Sequence, residues 1–235
     1  MISTCRRSRS SITFSDISLS LSLDTHTIKT LTKLQHPHIF APLGNENYFC
    51  SIDIPKTHSH CMDWWEERLV GVSLPSTTEG KTVEAQAIIT CTPGQHFTGR
   101  GILDRFKSLW ASWAVEHVSP SPPSAVAGPS TPTLTSTSTT PSAPIPPSQR
   151  TGPKVWFAGD TGYRSVANGD NEDEVPVCPV FKEIGEKFGG FDFAMIPIGA
   201  YLPRSMMSPV HCAPQDSVLV YKDVKAKRAL GMHWG

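Results

Sequence analysis

A chain of 235 residues with 21 basic and 21 acidic side chains has no net charge at neutral pH, so no bulk field draws it to nucleic acid or to an anionic membrane surface. That length can bury one substantial core or two small ones. A hydrophobic share of 38% and a charged share of 18% are lean for a globular protein, and no apolar run approaches the roughly 20 residues that cross a bilayer.

The six cysteines (Cys5, Cys50, Cys61, Cys91, Cys178, Cys212) are scattered and form no C-x-x-C pair. That pattern fits reduced thiols in an intracellular, cytoplasmic or membrane-peripheral protein rather than a disulfide framework. Residues 1–22 begin with Arg6, Arg7 and Arg9 among serines and are read as unordered, apart from a short strand predicted over 17–23, where Ile and Leu alternate with Ser. Asp24 then caps a helix with Ile28, Leu31 and Leu34 on one stripe, stopped before Pro37. HIFAPLGN predicts a brief buried strand, ENYFCS a helical turn, and CMDWW and RLVGVSL further strands. VEAQAIITCTP and SLWASWAVE alternate as strands do.

Residues 119–150 break the rhythm. Of these 32 positions 23 are Ser, Thr or Pro, and Arg150 carries the only charge. Such a stretch cannot bury enough apolar surface to offset the entropy of ordering it, so it is read as a disordered insert within a hairpin. Beyond it, KVWFAGDTGY predicts a buried strand entering a glycine-bracketed turn, VANGDNEDEVP an acidic surface loop, and CPVFKEIGEKFGG a helix closed by glycine. FDFAMIPIGAY predicts a second buried strand and RALGMHWG a last one. Between them APQDSVLVYKDVKAK forms a helix with acids early and lysines late, as the helix dipole prefers. Strands dominate the first half and alternate with helices in the second, which predicts a layered α/β protein around a sheet sandwich.

Three candidate ligands stand at strand ends: His96 after Pro93-Gly94-Gln95, Asp160 between Gly159 and Gly162, and His233 before Trp234. Zinc accepts both imidazole and carboxylate. On spacing alone, a turn-forming aspartate and packed histidines are the commoner reading.

The runs TPGQHF, WFAGDTGY, FKEIGEKFGGFDFAMIPIGAYLPR and KAKRALGMHWG, in this order and with LDTHTIKTL, HIFAPLGN and MDWWEE before them, resemble the N-acyl-phosphatidylethanolamine-hydrolysing phospholipase D family of the metallo-β-lactamase superfamily. The resemblance runs from about Leu23 to the C-terminus, apart from the insert and the acidic loop. It implies a four-layer αββα sandwich over residues 23–235, lacking part of the N-terminal half and the C-terminal end of the family's fold, with two zinc ions at one edge. It implies His96, Asp160 and His233 as metal ligands, Asp160 bridging the two. Asp160 and His211 would be catalytic, and His211, Tyr201 and Arg204 would contact substrate. The zinc ions would lower the pKa of a bridging water, whose hydroxide cleaves N-acyl-phosphatidylethanolamine at a membrane surface into N-acylethanolamine and phosphatidic acid. Family members can also form homodimers.

The chain departs from the family at its largest ligand group, an H-x-H-x-D-H loop expected within residues 16–23. That stretch reads DISLSLSL. With three of seven ligands remaining, the sequence predicts weak metal binding and little turnover, as in an incomplete gene product or a non-catalytic remnant. Another hydrolase of the same fold is the alternative within enzymes. The His58-Ser59-His60 run supplies an H-x-H, but it leads straight into DWWEE without the D-H pair. These two are therefore expected as solvent-facing loop histidines.

Overall fold

Alternation with period two decides which way each strand faces, and here it sorts the apolar residues into three buried layers. The computed structural model of the chain describes residues 12–14, 25–75, 82–98, 106–118 and 150–234. Three parallel strands, β1 (Ile12–Phe14), β2 (His38–Pro42) and β3 (Ser59–Met62), form a small sheet in the order β1-β2-β3. Six strands form the large sheet: β4 (Glu67–Pro75), β5 (Thr82–Thr92), β6 (Ser112–Val118), β7 (Lys154–Phe157), β8 (Phe193–Pro197) and β9 (Ala229–Met232), in sequence order. β4 to β7 pair antiparallel and β7 to β9 parallel.

The helices α1 (Thr25–Gln35) and α2 (Glu46–Ser51) cover the small sheet, where Ile39 and Ala41 pack with Ile28, Phe49, Ile52 and Ile54. Phe40, on the opposite face of β2, joins Met62, Val70, Ile89, Cys91 and Trp113 between the two sheets. On the outer face of the large sheet, Ala114, Trp156, Ala194 and Ile196 meet Phe181 and Ile184 of α3 (Val180–Phe188) and Val220 of α5 (Pro214–Asp223). A short α4 (Arg204–Met207) lies between β8 and α5. The order helix, sheet, sheet, helix is the four-layer αββα sandwich. Full burial of each large apolar side chain in these layers contributes about 1.5–3 kcal/mol.

Several local expectations need correction. The strand predicted through CMDWW stops at Met62, because Asp63 to Glu66 form a turn: Glu66 N–H donates to the Asp63 carbonyl (3.1 Å), and the Glu66 carboxylate accepts from Asp63 N–H (3.0 Å). The strand predicted over 17–23, the Asp24 cap and residues 119–149 of the insert lie outside the described residues. β6 and β7 do pair as a hairpin across that interval, with Val115 opposite Val155. Arg150, grouped with the insert by composition, instead reaches Glu67 (2.7 Å) and the buried Glu116 (3.1 Å). Among the described residues no helix is long and apolar enough to cross a membrane.

Candidate functional site

Parallel strands leave their C-terminal ends on one edge of a sheet, and the loops that follow β7, β8 and β9 converge there with the loop that follows β5. After β7 the chain turns through Gly159, in the left-handed region at φ 65°, so that Asp160 leaves the strand sideways. Main-chain contacts tie these loops together. Gly162 N–H donates to the Gln95 carbonyl (2.7 Å), Gln95 N–H to Thr161 Oγ1 (2.8 Å), and Cys212 N–H to the Thr161 carbonyl (2.8 Å). Glycine is required at 162, where a Cβ would come within 2.6 Å of the Ser208 and Pro209 carbonyl oxygens. The Gly199 backbone likewise lies directly against His233, which itself adopts φ 55°.

Four of the side chains singled out in the sequence come together here. The His96 ring meets His211 edge-on with centroids 5.5 Å apart, and His211 stacks on His233 at 5.3 Å and 10°. His233 Nε2 lies 3.7 Å from Asp160 Oδ1. His96 and His211 are buried, whereas His233 is partly open to solvent. His96 Nδ1 sits 2.5 Å from the Phe97 carbonyl oxygen. The Phe97 N–H also donates to this Nδ1 (2.8 Å), while His96 Nε2 and His211 Nδ1 are buried with no hydrogen-bond partner. Burial pushes His211 down to about 4 and also lowers His96, while the Phe97 backbone at His96 and the Asp160 carboxylate beside both pull the other way. Both imidazoles are therefore neutral at physiological pH, the form that offers a lone pair.

Neutral imidazoles beside a carboxylate are suitable metal donors by type, but not by placement. Among the described residues no three His, Cys, Asp or Glu side chains stand where they could hold one metal ion. The residues present do not fit a metal unaided.

Tyr201 lies half-buried on the loop after β8. Arg204, expected on the same rim as a substrate contact, has its guanidinium bound to two carboxylates: Glu172 at 3.0 Å through two nitrogens and Asp216 at 2.9 Å. Asp216 is completely buried and also receives Arg164 Nε (2.7 Å) and the Ala213 N–H (3.1 Å). Asp216 thus joins the loop bearing Asp160, through Arg164, to the loop bearing His211, through Arg204. Sequence reading missed this. Asp216 looked like an ordinary acid in the first turn of a helix and Glu172 like one of several solvated loop acids. The available signal was two arginines, each a few residues from a candidate site residue.

The sequence profile described as Beta-lactamase superfamily domain matches residues 145–234. N-acyl-phosphatidylethanolamine-hydrolyzing phospholipase D 1 of Caenorhabditis elegans is 32% identical over 218 residues, covering 91% of this chain and 45% of that protein. The mitochondrial N-acyl-phosphatidylethanolamine-hydrolyzing phospholipase D of Saccharomyces cerevisiae is 27% identical over 214 residues, covering 91% and 34%. The chain spans less than half the length of either. The metallo-beta-lactamase fold protein YhfI from Bacillus subtilis superposes with a TM-score of 0.45 at 10% identity, over 95% of this chain and 64% of that one, too loosely to add weight. With its four layers and this profile match over residues 145–234, the chain has the metallo-β-lactamase fold. Its likeness to the two N-acyl-phosphatidylethanolamine-hydrolyzing phospholipases D runs over most of this chain but less than half of theirs.

Proposed function

We propose that this chain is part of a zinc-dependent phosphodiesterase of the phospholipase D type, acting on N-acyl-phosphatidylethanolamine at a membrane surface to give N-acylethanolamine and phosphatidic acid. Residues 23–235 are read as one partial domain interrupted by the 119–150 insert. The observation that carries the proposal is the meeting of His96, Asp160, His211 and His233 from four separate loops, with two buried imidazole nitrogens unpartnered. The two relatives support the substrate by the names they bear.

His96, Asp160 and His233 are the side of the centre that this chain supplies. His211, buried and neutral, is the group placed to touch substrate. Tyr201 lies on the rim, and Arg204 acts there through Asp216 and Glu172. A phosphodiester is anionic and Asp160 adds a further negative charge, so these four residues do not neutralise the substrate alone. No step of the reaction is therefore routed through them in isolation, and turnover needs donors beyond the set described.

The test is zinc content after gel filtration, together with hydrolysis of N-acyl-phosphatidylethanolamine in mixed micelles. The expected result is well under one tightly held zinc per chain and little hydrolysis. Grafting an H-x-H-x-D-H segment in place of residues 16–23 should raise both. Two zinc ions per chain with chelator-sensitive hydrolysis in the ungrafted protein would overturn the partial-centre reading. A graft that binds zinc yet leaves this lipid intact would favour another hydrolase of the fold. The failure of donors to converge on a metal favours a second reading, a non-catalytic relative, and a graft that binds no zinc would support it.

A further inference from the structure

Away from the strand-end site, His58 and His60 are half-buried and stacked with His38, their centroids 4.8 and 5.2 Å from its ring. They are not the solvent-facing loop histidines that their sequence context suggested. A second polar cluster, around Glu172, has the form of a binding site already filled by the chain itself.

Glu172 lies on the acidic loop between β7 and α3, and its carboxylate sits where two arginines and a glutamine meet. Arg204 forks onto it, Nε to Oε1 and Nη2 to Oε2, both at 3.0 Å. Gln215 Nε2 donates to Oε2 at 3.2 Å, and Arg164 Nη2 stands 3.7 Å from the same oxygen. Arg204 foremost, with Gln215 and Arg164, holds the Glu172 carboxyl below the ordinary carboxylate range, so it is ionised at neutral pH.

The donors are fixed from behind. Arg164 and Arg204 both reach the buried Asp216, at 2.7 and 2.9 Å, and their side chains are only 5% and 16% exposed. The loop is held independently of the carboxylate: Arg164 Nη1 donates to the Glu172 carbonyl, and Ala167 N–H to Asp170 Oδ2 at 2.7 Å. The Glu172 side chain is 30% exposed. It can swing out by rotation about its own bonds while loop and donors stay in place.

Charge decides what can replace it. Two guanidiniums stand against Asp216 and Glu172, so the cluster is neutral with Glu172 in place and has an excess positive charge without it. The other acids of the loop, Asp170, Asp173 and Glu174, are exposed, and Asp170 and Glu174 are bonded within the loop. A guanidinium fork that fits a carboxylate fits two phosphate oxygens equally well. A phosphate monoester also brings about −1.5 to −2 of charge near neutral pH, more than the carboxylate it displaces.

We propose that Arg204, Arg164 and Gln215 form a phosphate-monoester site next to the loops that carry Asp160 and His211, held closed by Glu172 as an internal stand-in for the ligand. The site does not depend on the lipid reading above, because inorganic phosphate and the headgroup of phosphatidic acid present the same group.

Calorimetric titration of inorganic phosphate into the intact chain and into an E172A variant tests this. The variant should bind phosphate about tenfold more tightly than the wild type, and the Nε–Hε NMR signals of Arg204 and Arg164 should move during the titration. Equal affinity in the two proteins, or tighter binding that leaves both arginine signals still, would overturn the proposal. If E172A does not fold, the wild-type arginine signals decide. They should shift with phosphate and not with chloride at matched ionic strength, and equal shifts in both salts would rule the site out. Phosphatidylcholine vesicles with and without phosphatidic acid separate the two sources. Retention of E172A by phosphatidic acid, reversed by inorganic phosphate, assigns the site to a lipid headgroup; phosphate binding without retention assigns it to a soluble phosphate.

Discussion

The molecule contains two groups of three histidines, and they differ in what surrounds them. His96, His211 and His233 come from loops at strand ends and have Asp160 beside them. His38, His58 and His60 lie on or next to strands of one small sheet, and Arg68 acts on His60. A carboxylate partly counteracts the loss of basicity that burial causes, and loops let side chains approach from different directions. A cation deepens that loss, and each group holds a near-parallel pair, His211 on His233 at 10° and His38 on His58 at 5°. Three imidazoles in contact do not by themselves define a site; the sign of the neighbouring charge separates these two.

The comparison can be broken at the support beneath each group. Replacing Asp216 by Ala leaves the buried Arg164, and Arg204 with it, short of a carboxylate partner. The expected cost is about 3–5 kcal/mol in urea unfolding, with the His96 and His211 ring resonances moving and those of His38 and His60 unmoved. Phe40→Ala removes the apolar platform under His60 and part of the inter-sheet core. It should cost about 3–4 kcal/mol in the same assay and shift the opposite set of resonances. The smallest effect is the most discriminating. Asp160→Asn removes only the charge, so the His211 and His96 pKa values should fall further, with His60 unchanged, in an imidazole NMR titration.

Much of the candidate site was legible because its carriers are local. Glycines bracket Asp160, and Pro-Gly-Gln leads into His96, so each turn is written within a few residues. A layered sheet sandwich was legible in the run of strands that gives way to strands alternating with helices, while its four-layer αββα order came from the resemblance of the motifs. The His60 stack was not legible, because the neighbours of a β3 residue are set by pairing with β2 some twenty residues earlier. Asp216 was hidden in the same way: its partners Arg164 and Arg204 are distant in sequence and arrive only when three loops fold together. Ring orientation within the histidine group was beyond sequence altogether, and it decides whether a set of donors can share an ion.

The Arg150 anchor has a consequence for engineering. Arg150 grips Glu67 and Glu116, Lys154 reaches the same Glu116 at 3.3 Å, and Val115 faces Val155. The register of the β6–β7 hairpin is therefore fixed by groups at its base, not by the length of chain joining its strands. Closing a longer loop costs only slowly more entropy. Residues 119–149 thus mark a natural splice point, where a reporter domain or an affinity tag can be carried without re-threading the sheet that presents Asp160.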